Sequence, residues 1–526
     1  MSRVVAFAAA AAAATATAIM LWATGIPLGI PGEWTWPRLP VDPQSGWNLL
    51  LAGLGAGLYL GFVAVGSRRL SSPKVHRAEV AAWVVALFVA AVGWLWTVQE
   101  TAPSAGQLAK APFILYYPSS SGYFTKARYE SPDARVFLRD YEALMKQGDV
   151  LHVGTHPPGL FLVFHGLIAL GERWPALLTK AWSLAPESVR EATAVVQENT
   201  GATRQPCSPA DAAVLWLAGM LVMTLSAATV APLYGTLRLM LSREAAFVGA
   251  AFWPAIPAVG MLWPKSDAAF PFVSVLLAWC ALSGWTTGSC VRAAAAGLVL
   301  FAGLCCSLAF LPVALFLTLV IGHDALSDLR FHRRSLVEVS TWIACGFAGF
   351  LLPVILLWTV DVHLERIWLW NYRNHAGFYA EYPRTYWKWL LVNPLELTIA
   401  VGAPAAIAAL CGLRRLGSEN GIAPLMLRAG WWGAAVWGLL WLTGKNSGEA
   451  ARLWLLLMPG VIAVAAVGLS SGGWAVPTAS VKDVVGTAHP PKGGATRWSP
   501  ILWLALQLAA SILTVHRIGG FHFETL

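Results

Sequence analysis

The chain has 526 residues, of which 57% are apolar and 12% charged, with a formal net charge of +9. The charged share is about half that of an average soluble domain, and a soluble fold of this length cannot bury so much apolar surface. The positive charge does not point to nucleic acid, because the Lys and Arg residues sit in short loops between apolar runs, the pattern that orients a polytopic membrane protein.

Apolar runs of roughly 17 to 25 residues recur along the chain, each long enough to cross a bilayer as a helix. The expected fold class is therefore an all-α transmembrane bundle of about 12 to 14 spans, with amphipathic interfacial helices in its first large external loop. Residues 1–470 form this bundle, 471–499 a Gly, Ser, Thr and Pro-containing linker, and 500–526 a final span and tail. Cysteines stand at 207, 280, 290, 305, 306, 345 and 411 with no CxxC or Cys/His spacing, so neither a disulfide framework nor a zinc site is expected.

In chain order, the N-terminal run is longer than a signal-peptide core and reads as the first span. Trp34, Trp36 and Trp47 follow it as interfacial anchors. A span over 48–66 leads into SRRLSSPKVHR, a basic loop expected in the cytoplasm, and a span over 79–97 returns outward. The long polar region 98–155 is then extracytoplasmic, and its tyrosines argue against disorder. Placing Arg238, Arg243, Arg292, Arg330 to Arg334, Arg414 and Arg415 in the cytoplasm requires two short spans over 293–322. It also requires that 157–171 dip into the membrane without crossing. Outward-facing polar residues then fall in 98–155, the turn 263–267, the stretch 361–392 and the segment 444–452.

Within the first loop, SPDARVFLRDYEALMKQGD reads as an amphipathic helix capped by Ser131 or Asp133, with Phe137, Tyr141 and Leu144 on one face. In GTHPPGLFLVF, Thr155 caps a second helix and the Pro pair fixes His156 at the water interface. The tripeptide alone carries little weight, since His489, Pro490 and Pro491 repeat it in the linker.

An Asp, an amphipathic helix, Gly148-Asp149 and then His156-Pro157-Pro158 opening a membrane helix together resemble the GT-C glycosyltransferases of the protein O-mannosyltransferase and aminoarabinose-transferase kind. The resemblance covers roughly residues 120–290. It departs at Ala134, where the family often has a second acidic residue, and at Gly159, where it usually has Leu. It implies transfer of a sugar from a polyprenyl-phosphate donor to a glycan, lipid or protein acceptor outside the plasma (inner) membrane, with inversion. Asp133 takes the catalytic carboxylate position and Asp267 that of a second acidic residue. No cofactor is certain, and a divalent ion such as Mg or Mn stays open.

The chemistry needs a base for the acceptor hydroxyl and cations for the departing phosphate. Asp133 is the expected base, with Asp140, Glu142 and Asp149 as competitors and His156 beside them. Arg452, Lys445, Glu449, His375 and Arg384 are the expected substrate-binding residues, Arg452 for its bidentate fork. Each has an ordinary alternative: Asp140 and Glu142 as a solvated face, Lys265 with Asp267 as an interfacial pair, Glu449 with Arg452 as a helical-turn pair, and the aromatics as headgroup anchors. A transporter or flippase of lipid-linked glycans and a surface-polysaccharide polymerase or ligase remain as rivals. The enzymatic reading requires Asp133, His156, Asp267 and Arg452 to converge.

Overall fold

The computed structural model describes residues 3–41, 43–149, 154–418, 424–470 and 499–521. Its architecture is an all-α polytopic helix bundle, with a two-stranded antiparallel hairpin, Gly29–Ile30 against Trp34–Thr35. Among the described residues, seven helices are long and apolar enough to cross a bilayer, or nine if each of two bent pairs is one span. That is fewer than the sequence suggests, and the shortfall has a physical origin. Cys290–Cys306, at 17 residues, only just reaches the length of a crossing, and the apolar helices Leu455–Leu469 and Pro500–Val515 are shorter still. The expected linker 471–499 lies almost wholly outside the described residues.

The two finer expectations about the spans are met in part: 157–171 leads into a sharp bend, and 293–322 is divided, though into one short helix and one full-length one. Gly159–Arg173 and Pro175–Ser183 are bent by 104° about Trp174, where Pro175 ends the first helix's hydrogen-bond ladder, so 157–171 starts a broken span or re-entrant loop. The 293–322 region is two helices, Cys290–Cys306 and Leu311–Arg330, parted at Ser307, whose extended backbone ends the first. Cys290–Cys306 packs closely on Leu336–Trp358 through glycines: a Cβ on Gly297 would stand 2.0 Å from the Gly346 carbonyl oxygen, and one on Gly349 equally close to that of Ala294. Small residues of this kind let helix backbones meet where lipid offers no hydrophobic drive.

The bundle has two chemically distinct ends. Ser45–Leu70, Val230–Arg238 and Leu311–Arg330 each finish in basic residues. At that end Arg69 pairs with Glu79, Ser67 donates to Glu244 at 3.1 Å and Arg243 to the Val75 carbonyl at 3.0 Å. The opposite end gathers the loop helix Ala134–Met145, the hairpin, the turn before Phe270–Thr287, the helix Leu364–Glu381 and the segment 444–452. Here two tryptophans expected as membrane anchors turn inward. Trp36 is buried, and Trp34 lies against Gly448, where an added Cβ would be 3.0 Å from its side chain; only Trp47 is exposed.

Candidate functional site

The loop helix Ala134–Met145 forms where expected, with Phe137, Tyr141 and Met145 as its buried face. Asp133 is its N-cap, accepting from the Arg135 and Val136 backbone N–H groups at 2.8 and 3.1 Å. Those bonds, with the nearby Arg135 and Arg139 charges, hold its carboxyl below the usual range. The helix runs antiparallel to Gly159–Arg173: Phe137 meets His165 with ring centroids 5.4 Å apart, while the Tyr141 hydroxyl donates to the His156 carbonyl at 2.7 Å. Asp133 therefore lies at the His165 end, about 12 Å along the helix axis from Tyr141.

At the Tyr141 end, the segment leading to His156 is stapled by a helix that sequence reasoning did not single out for this purpose. Asn371 donates its Nδ2 to the carbonyls of Gly154 and His156 at 3.1 and 3.2 Å. Asn374, one turn later, donates to Met145 and Gly154, both at 2.9 Å. Both asparagines are buried on the packed face of Leu364–Glu381, and their position on that otherwise apolar face is the sequence signal for them. Asp149 accepts from the Gly154 N–H at 3.4 Å and acts electrostatically on Tyr141. The His156 ring stands 5.8 Å from that of Tyr123, with its Nδ1 3.1 Å from the Thr155 hydroxyl.

Tyr123 is the point where the elements meet. Asp267 and Arg452 both act on it electrostatically, and Arg452 in turn feels Glu449, Asp267 and Tyr123. Arg452 pairs with Glu449, Nη2 to Oε1 at 2.7 Å, the helical-turn pair the spacing allowed. Burial works against the Arg452 charge, but Glu449, Asp267 and Tyr123 more than offset it. Lys265 joins them: burial first, then the Arg452 charge, pushes its ammonium down to about 7 against the opposing pull of Asp267 and Glu449. Two cations and two carboxylates thus share one half-buried site.

His156, Asp267 and Arg452 all border Tyr123, whereas Asp133 caps the His165 end of its helix. Asp149 lies toward the His156 side. His375 and Lys445 form an outer rim: burial, then Lys445, lowers the His375 pKa, while Glu449 pulls it up. Arg384 sits further out, its guanidinium 5.9 Å from the Trp34 ring. Of the competing acids, Asp140 pairs weakly with Arg139 at 3.4 Å on the solvated face, whereas Glu142 is half-buried between Lys146 at 3.0 Å and Arg366 of Leu364–Glu381 at 3.7 Å.

Two acidic residues not foreseen tie the helix Tyr386–Val401 to its surroundings, Glu33 at its start and Glu396 where it meets the 449–452 segment. Glu33, in the hairpin, accepts from the Thr385 N–H and hydroxyl, Trp389 Nε1 and Lys388 Nζ at 2.8, 2.6, 2.7 and 3.3 Å. Burial opposes its charge, yet these bonds bring its pKa down to about 2. Glu396, buried in Tyr386–Val401, accepts from the Ala451 N–H at 2.9 Å directly beside Arg452.

Beneath the polar cluster lies a cavity of about 560 Å3 lined almost wholly by apolar side chains. It runs from Trp437, Trp441 and Trp454 to Leu416 and Met426, between Phe270–Thr287, Ala403–Ser418, Pro424–Leu442 and Met458–Leu469. Trp454, two residues after Arg452, is part of its lining, and so is Leu456, whose carbonyl accepts from the Ser274 hydroxyl at 2.7 Å. The arrangement joins a charged head site to a long apolar chamber. Among the described residues no group of three or more His, Cys, Asp and Glu is placed to hold a metal ion. No protein-family model matches the chain, and comparison with curated proteins gives no match either.

Proposed function

We propose that the chain is a glycosyltransferase that moves a sugar from a polyprenyl-phosphate donor to an acceptor on the extracytoplasmic side of the membrane. The observation that carries this reading is that the half-buried cluster of Lys265, Arg452, Asp267 and Glu449 stands next in the chain to Trp454, a lining residue of the apolar cavity. An isoprenoid chain would occupy the cavity, with its phosphate on the two cations. The basic loops at the opposite end of the bundle favour an outward-facing site.

In this reading the acceptor oxygen attacks the anomeric carbon from the face opposite the phosphate and inverts it. The carbon–oxygen bond to phosphate breaks, and its electron pair leaves with the lipid phosphate, compensated by Arg452 and Lys265. The hydroxyl proton passes to Asp267, the carboxylate inside the cluster, rather than to Asp133. His156, held by Asn371 through its backbone, and Tyr123 shape the wall between donor and acceptor.

The test is turnover by the full chain in lipid nanodiscs supplied with polyprenyl-phosphate sugars and candidate acceptors. Release of polyprenyl phosphate with a new glycosidic bond is expected; no turnover with any pentose or hexose donor sinks the reading. The Lys265 environment adds a pH dependence. With its pKa near 7, Lys265 carries charge below that value and loses it above. Retention of the lipid phosphate should therefore weaken between pH 6 and 8, and K265R, charged throughout, should flatten the profile. A wild-type profile as flat as that of K265R would remove Lys265 from the phosphate site.

A further inference from the structure

Resting on the reading above, we propose that Phe521, in the tail that follows the helix Pro500–Val515, is a positioning residue for the lipid-phosphate cation Lys265, holding its ammonium in place through the face of its ring. The Lys265 Nζ stands over the Phe521 ring, 5.6 Å from its centroid, inside the range at which an ammonium is drawn to an aromatic face. Phe521 is buried and Lys265 half-buried, so water screens the attraction only weakly.

The tail that carries this ring is held along its length. The Leu39 N–H donates to the Arg517 carbonyl at 2.9 Å and the Gly519 N–H to that of Pro37 at 2.8 Å, so 517–519 pairs with the residues just after the hairpin. Arg517 Nε donates to the Leu21 carbonyl at 3.1 Å, and His516 Nε2 lies 3.2 Å from the Thr101 hydroxyl. Gly520 then crosses the turn that leads to Lys265 so closely that an added Cβ would stand 2.3 Å from the Met261 carbonyl oxygen. That turn is fixed as well: Lys110 Nζ donates to the carbonyls of Gly260 and Met261, at 3.1 and 3.4 Å, where the helix Pro257–Leu262 ends. Ring and ammonium therefore meet from two anchored elements.

The charged groups acting on Lys265 explain why a ring suits this place. They are Asp267 from its own turn and Glu449 and Arg452 from the facing segment. Glu449 is already paired with Arg452, and the Arg452 charge opposes that of Lys265. A carboxylate bonded directly to Lys265 would neutralise the ammonium and occupy N–H groups that a phosphate needs. A ring face offsets part of the burial and repulsion and accepts no ordinary hydrogen bond. An aliphatic side chain of similar size would fill the space without favouring the charge, which separates this role from mere packing.

The experiment uses the full chain in nanodiscs and reads Lys265 alone. The rate of its acetylation by acetic anhydride is followed against pH by peptide mass spectrometry, with and without polyprenyl phosphate. F521L keeps apolar bulk and removes the ring, while F521Y keeps the ring. Without the ring the charged form is less favoured and the proton leaves at lower pH. The midpoint of labelling should thus fall by about one pH unit in F521L and stay near the wild-type value in F521Y. Polyprenyl phosphate should slow labelling in wild type, and less so in F521L. A midpoint equal in wild type and F521L, or lowered as far in F521Y as in F521L, overturns the assignment. A midpoint that shifts as expected while polyprenyl phosphate protects Lys265 in no variant upholds the ring contact and points to failure of the wider reading instead.

Discussion

Asp267→Asn should reduce sugar transfer at least about a hundredfold, the usual weight of a positioned general base, whereas Asp133→Asn should leave it within a few fold. The contrast follows from where the two carboxylates lie. Asp267 shares its half-buried site with Lys265, Arg452 and Tyr123, so it is within reach of a donor whose phosphate sits on those cations. Asp133 spends one oxygen on two backbone N–H groups and faces His165 at the far end of its helix. Asn caps a helix about as well as Asp, so D133N keeps that function as well. The measurement is turnover of a polyprenyl-phosphate sugar by each variant in the same nanodiscs. Full activity in D267N, or collapse in D133N with an intact fold, would return the base to the position that the family resemblance gives it.

Arg452→Gln should weaken donor binding about 10- to 100-fold, corresponding to the ~1.5–3 kcal/mol of a charge-assisted contact. Arg452 lies two residues before Trp454 of the cavity lining, paired with Glu449 and drawn by Asp267. R452K should recover only part of the loss, because an ammonium keeps the charge but not the paired N–H geometry. The effect belongs in KM for the lipid donor, with acceptor KM little changed. A drop in kcat alone would mean that Arg452 acts only after the donor is bound. Removing it also leaves Glu449 and Asp267 facing each other with Lys265 alone, so R452Q should be checked for lowered thermal stability in detergent.

Membrane embedding was legible because it follows from composition and repeated apolar runs, which no tertiary contact can reverse. The break of 293–322 into two helices was legible from charge placement, since basic loops must share one end. The number of spans was less so, because short helices such as Cys290–Cys306 and Leu455–Leu469 fall at or below the shortest length that identifies a crossing. Within the site, His156, Asp267 and Arg452 could be found as polar residues at the ends of apolar runs. Asp133 has two readings for a local reason. The spacing that resembles a catalytic carboxylate also suits a helix cap, and only the antiparallel packing of Ala134–Met145 on Gly159–Arg173 shows which end of the helix lies toward Tyr123. Glu33 and Glu396 were invisible because their partners, Thr385 and Ala451, are remote in sequence or offered by backbone alone.

The central claim, that a charged head site and an apolar chamber together hold a lipid phosphate, is tested most directly by native mass spectrometry of the purified chain. The protein would be offered polyprenyl phosphate and the matching uncharged polyprenol in equal amounts. The expected result is selective retention of the phosphate by wild type and loss of that preference in R452Q. Equal retention of both lipids, or a preference that survives R452Q, would contradict it.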